Sequence, residues 1–187
     1  MSISSPQIVT EEHIAAFGSI IHYYAYAESG IKITLAGLLD MDLREMLILS
    51  EPYSSMNLRT VAKSIVKERL GPGKEADQFI QLIGELGTFG PLRNAIAHQR
   101  WTKGARPGSI RPFHLDIRSG SALLKGQSDT EKDWTAAELA AEGDRARKLN
   151  ASIVRYMQSS GIIDRMDRKH AARSSATESS DGSSTND

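Results

Sequence analysis

The chain has 187 residues, 40% hydrophobic and 25% charged, with a formal net charge of +0 and no cysteine. Such values suit one folded domain with a core of its own and exclude disulfides and thiolate zinc sites. They also exclude an overall polycation, so any contact with nucleic acid has to come from a local basic surface.

The first element begins near Thr10. Ile14, Phe17, Ile21, Tyr24, Ile31, Leu35 and Leu38 recur at spacings of three, four or seven, which predicts one face of a long helix. Thr10 is its expected N-cap, with Glu11 and Glu12 in the first turn. Glu28 stands out on that apolar stripe. A shorter helix follows from Asp42 with Leu43, Met46 and Leu47, and ends at Glu51-Pro52. A third runs from Asn57 to Leu70, with Leu58, Val61, Ile65 and Leu70 inward, and stops at Gly71-Pro72-Gly73. The fourth starts near Glu75 and carries Phe79, Leu82, Ile83, Leu86, Phe89, Leu92 and Ile96; Gly90-Pro91 predicts a kink or short break within it.

Beyond Trp101 the texture changes. Lys103 to Pro112 reads as loop, and Phe113–Ile117 with Ala122–Lys125 forms a weak hairpin signal. Thr135-Ala136-Ala137-Glu138 matches a capping box for a last helix, Trp134 can staple onto Leu139, and Gly161 suits the stop. From Ala171 to Asp187 the chain is mostly Ser, Thr, Asp and Gly, too poor in apolar residues to offset the entropy of ordering, and a disordered tail is expected. The whole predicts a mainly all-α protein: one helical domain over 1–165, a small irregular or β-hairpin insertion at about 103–130, and the tail.

The chemistry concentrates in Arg93-Asn94-Ala95-Ile96-Ala97-His98. On a helix Asn94 and His98 share a face, and the long Arg93 side chain can swing toward the imidazole. An always-charged guanidinium beside a group that titrates near neutrality suits phosphodiester chemistry, in which histidine moves a proton and arginine stabilises phosphoryl charge.

Arg-Asn-x-x-x-His near the end of an apolar helix, in a small protein with a long first helix, resembles the HEPN superfamily. The resemblance covers roughly Thr10 to Trp101, with the last helix included; the insertion and the tail lie outside it. It implies a helical bundle and a metal-independent endoribonuclease, as found in toxin–antitoxin, anti-phage or RNA-processing systems. Arg93 and His98 then take the family's catalytic positions, and Asn94 its polar second position. It further implies a homodimer in which two Arg93/His98 pairs face one cleft, RNA as substrate, and an antitoxin protein as a further partner to look for. Some HEPN toxins carry a tyrosine two residues after the histidine that a nucleotidyltransferase modifies; Arg100 stands there, so the resemblance does not extend to that regulation. HEPN-like bundles also serve as non-catalytic modules that dimerise or hold RNA or nucleotides, and that reading stays open, as does a motif that merely ties helices together.

Three further readings attach to the segment. Glu28 is a candidate partner for Arg93 or His98, since a lone carboxylate on an apolar face is costly unless paired; snorkelling outward is the alternative. From Leu86 to Leu115 there is no acid, while Arg93, Arg100, Lys103, Arg106 and Arg111 are basic. This makes Arg100, Lys103, Arg106 and Arg111 candidate RNA contacts and Trp101 a stacking surface for a base, against the plainer reading of a solvated loop and a core-capping tryptophan. His13, His22, His114 and His170 lack a second ligand at metal spacing, so no metal and no other cofactor is expected. No apolar run approaches the ~20 residues of a membrane span and Met1 to Thr10 does not read as a secretory signal, which leaves the cytoplasm as the expected location and no membrane partner.

Overall fold

The computed structural model describes residues 8–118, 121–125 and 133–168. The expected tail lies outside these residues, as do Ser119 and Gly120 of the predicted hairpin turn. The protein is mainly helical, with one small antiparallel sheet. Helix α1 spans Glu11–Leu39, α2 Leu43–Ser50, α3 Ser55–Leu70, α4 Lys74–His98 and α5 Ala136–Ser159, with a short helical stretch at 162–168. The strands are β1 Arg100–Lys103, β2 Ser109–Arg118, β3 Ser121–Lys125 and β4 Trp134–Thr135.

Local chemistry explains most of the boundaries. The Thr10 backbone N–H donates to His13 Nδ1 at 3.2 Å, so a histidine takes the place that a glutamate has in a capping box. Asp42 and Glu45 form a complete capping box at α2. At α5 the Glu138 N–H donates to Thr135 Oγ1 at 3.2 Å and the Thr135 N–H to Glu138 Oε2 at 2.8 Å, as the sequence predicts. Helix α1 closes with Asp40 in the left-handed region (φ 53) and the Met41 N–H bonded to Ala36 O at 2.9 Å, a Schellman arrangement with aspartate where glycine is usual. Gly71 and Gly161 adopt φ 67 and 66 where α3 and α5 end, as expected.

Several expectations need correction, the first being that α3 buries Leu58, Ala62 and Val66, while the expected Val61, Ile65 and Leu70 are only half-buried. Helix α1 buries Ala16, Ile20, Tyr24, Ala27, Ile31 and Leu35, whereas Ile14 is 53% exposed. Small alanines take up part of the inward face, and one large residue of the apparent stripe looks outward. Lys103 to Pro112 is not all loop, because β1 pairs antiparallel with β2 through Trp101↔Pro112 and Lys103↔Ile110. Only the stretch between these strands turns. The predicted hairpin is present, with Ile117↔Ala122 and Arg118↔Ser121 in register. Trp134 of β4 pairs with Ile110, so β2 carries every other strand of the sheet. Helix α4 continues through Pro91 to His98 as one element.

By internal contacts the described residues form two compact units, one drawn from 8–26 and 88–150 and the other from 27–87 and 151–168. In the first, Ala16, Ile20, Ile110 and Leu139 form a buried cluster, against which Phe17, Leu92, Ile96, Trp101 and Trp134 pack. Burying side chains the size of Ile20, Ile110 and Leu139 contributes about 1.5–3 kcal/mol each. In the second, Phe79 stacks on Tyr156 with ring centroids 4.7 Å apart and planes 10° from parallel. Burial, with Glu75 adding to it, pushes the Tyr156 hydroxyl up to about 12, and its oxygen has no hydrogen-bond partner among the described residues. No helix among the described residues is long and apolar enough to cross a membrane.

Candidate functional site

The segment that the sequence singles out forms the last turns of α4, in the first unit. Arg93 is half-buried. Its Nη1 donates to Asn94 Oδ1 at 3.1 Å, and its guanidinium carbon lies 5.8 Å from the centroid of the Tyr24 ring. That hydrogen bond and the cation–π contact hold the cation over the helix rather than free in solvent. Asn94 is exposed, and His98 is the exposed last residue of the helix, one turn further on. Among the described residues no hydrogen bond joins His98 to Arg93 or Asn94. The arginine and the imidazole therefore sit on the same helical end without being locked together in one chain.

Asn94 lines an open groove of about 510 Å³, whose other walls include Gln99, Pro112 of β2, Trp134 of β4, and Glu142 and Arg145 of α5. Sequence reasoning missed this surround, because four of its members lie on β2, β4 and α5. Arg145 is fixed there. Its Nη1 donates to both Glu142 oxygens at 2.9 and 2.8 Å, its Nη2 donates to Thr88 Oγ1 at 2.7 Å, and its guanidinium stands 4.3 Å over the Phe89 ring.

The basic residues after the motif divide into two classes. Arg100 and Lys103, at the ends of β1, are exposed. Arg106 instead grips Glu138 with Nη1 and Nη2 at 2.8 and 2.7 Å and also donates to the Asp133 carbonyl. Arg111 is 4% exposed and ion-paired, Nε to Asp133 Oδ1 at 2.7 Å. The acid-free stretch of sequence is thus not acid-free in space, since Asp133 and Glu138 come from beyond it. Burial pushes the Asp133 carboxyl up, but the backbone N–H groups of Arg106 and Ala105 and the Arg111 side chain outweigh that and hold it below its ordinary value. The Arg106 guanidinium, helped by the Thr135 N–H, brings Glu138 down to about 2, and Glu138 in turn raises Arg106. A larger groove of about 800 Å³ adjoins this cluster, but Asp133, Glu138 and Glu142 line it against Arg106 alone, a poor setting for a phosphate.

Trp101 is half-buried. Its ring lies 4.7 Å from that of Phe17, and its indole N–H is buried without a hydrogen-bond partner among the described residues. This is a tryptophan that caps the core. Glu28, in the second unit, accepts a hydrogen bond from Ser55 Oγ at 2.6 Å and pairs with Lys32 at 3.8 Å. The carboxylate that the sequence offers to Arg93 or His98 therefore has one oxygen held by the first residue of α3, where a helix dipole favours negative charge, and the other facing Lys32 of its own helix. Among the described residues no group of acidic and histidine side chains could hold a metal ion. No family model, curated protein or solved structure matches the chain.

Proposed function

We propose that the protein is a metal-independent endoribonuclease of HEPN type, with Arg93, Asn94 and His98 as its catalytic set, acting as a homodimer. The observation that carries this reading is the end of α4: Arg93 bonded to Asn94, Asn94 opening onto a groove, and His98 exposed one turn away. In the reaction a ribose 2′-oxygen attacks the adjacent phosphorus and the bond to the 5′-oxygen breaks, leaving a cyclic phosphate and a 5′-hydroxyl. His98 takes or gives the proton, and Arg93 stabilises charge on the phosphoryl oxygens. Asn94 positions Arg93 through the 3.1 Å hydrogen bond. Because Arg93 and His98 are not joined within one chain, a second copy supplying another pair across a two-fold axis makes a complete cleft. Arg100 and Lys103 add positive charge for the RNA backbone. A setting in toxin–antitoxin or anti-phage defence, with an antitoxin as partner, belongs to the same reading.

The test is purified protein with single-stranded RNA in the presence of a chelator. Cleavage with cyclic-phosphate ends is expected, and His98→Ala and Arg93→Ala each abolish it while the melting temperature holds. Equal cleavage by either variant overturns the assignment. The lack of a hydrogen bond between Arg93 and His98 among the described residues also suits a non-catalytic RNA-binding module; there both variants lose binding and no RNA yields product.

A further inference from the structure

We propose that the groove beside Asn94 is a nucleobase subsite, which takes one unstacked base of a single-stranded RNA and gives the cleavage its base preference. Its use rests on the nuclease reading above; the binding itself does not.

Four observations point to a base rather than a phosphate. The charged side chains of the groove cancel, because Arg145 is held bidentately by Glu142 and by Thr88, which leaves no net positive charge to attract an anion. A neutral heterocycle needs none. The remaining polar groups, Asn94 and Gln99, are amides, each offering both a donor and an acceptor, as the Watson–Crick edge of a base requires. The Asn94 carbonyl already accepts from Arg93, which fixes the rotation of the amide and directs its NH₂ as donor. Flat walls come from the half-buried Trp134 and from Pro112, and an indole is a good stacking platform for any base. The volume, about 510 Å³, is that of an ordinary small-ligand site. Arg93 serves both sites: it orients the amide that reads the base, and it stabilises charge at the neighbouring phosphate. A base seated in the groove would therefore help to set the position of the scissile phosphate.

The experiment titrates the full chain with millimolar adenosine, guanosine, cytidine and uridine, and separately with ribose 5-phosphate, following tryptophan fluorescence. At least one nucleoside should bind saturably and quench, and ribose 5-phosphate should not. Gln99→Ala should weaken that nucleoside about fivefold through one lost hydrogen bond, and Trp134→Leu by tenfold or more through the lost stack. Because Trp134 also packs on the core, Gln99→Ala tests the groove independently of it. The proposal is overturned if no nucleoside binds, if ribose 5-phosphate competes equally, or if Gln99→Ala binds as the parent does. Nucleosides that bind a protein unable to cleave RNA uphold the groove and end the nuclease reading; RNA cleavage without nucleoside binding does the reverse.

Discussion

Arg111 Nε and Asp133 Oδ1 lie 2.7 Å apart, with side chains only 5% and 0% exposed. The pair ties β2 to the chain just before β4 and α5. Asp133 also accepts the N–H groups of Ala105 and Arg106 at 2.6 and 3.1 Å, which shapes the β1–β2 turn. Removing one member of a buried pair strands the other, at a cost of about 3–5 kcal/mol. Arg111→Ala should therefore lower the urea midpoint by that much in free energy, with the slope unchanged. A loss under about 1 kcal/mol would show that the pair is not buried in solution.

The same corner sets an acid dependence. Asp133 and Glu138 both have folded pKa values below their ordinary ones, Glu138 falling from 4.5 to about 2. A depressed carboxyl contributes stability above its unfolded pKa and loses it as pH falls through the folded value. The contribution of Glu138 is thus complete above 4.5 and fades toward about 2. Thermal unfolding followed between pH 6 and about 2 should show a falling melting temperature in that window, and a shallower fall in Glu138→Gln. Identical profiles for parent and variant would refute the assignment.

How much of this was legible beforehand depends on where the partners lie in the chain. Helix ends were legible where the signal is local: Asp42 with Glu45, Thr135 with Glu138, and glycine at positions 71 and 161. So was the placement of Arg93, Asn94 and His98 in the closing turns of α4. The inward face of α1 was not fully legible, because Ala16 and Ala27 are buried for their smallness and carry no strong hydrophobic signal. Nor was the fate of the basic stretch. Arg106 and Arg111 are neutralised by Glu138 and Asp133, and nothing in a linear charge count pairs residues so far apart. The β1–β2 turn itself was legible, since Pro107-Gly108 closes it with Gly108 at φ 67 and the Ser109 N–H on Arg106 O at 3.1 Å, but the strands flanking it, short and rich in Arg and Pro, read as loop.

Two glycines in the second unit should respond in opposite senses. A Cβ on Gly30 would meet Ile153 Cγ2 at 2.7 Å, and Ile153 is fully buried and stiff at its branched carbon. Gly30→Ala should cost about 1–3 kcal/mol through overpacking. Gly84, inside α4, has open space where a Cβ would go, so Gly84→Ala should stabilise by about 0.5–1 kcal/mol. Chemical denaturation of the two variants checks the contrast; equal signs would mean that the α1–α5 contact is looser than 2.7 Å implies.

On the nuclease reading, the division of the basic residues predicts which of them meet RNA. Arg100 and Lys103 are exposed, so a phosphate can approach either. For a single strand, each neutralised phosphate contributes about 0.7 to the slope of log affinity against log salt. Arg100→Ala and Lys103→Ala should each weaken binding of an uncleavable RNA and reduce that slope by roughly this amount. Arg106→Ala should leave the slope unchanged, because its guanidinium is already matched by Glu138 at 2.7 Å. Its effect should instead appear as a lower melting temperature, since it anchors the capping residue of α5. A slope that falls with Arg106→Ala and not with Arg100→Ala would place the RNA on the acidic groove and overturn this division.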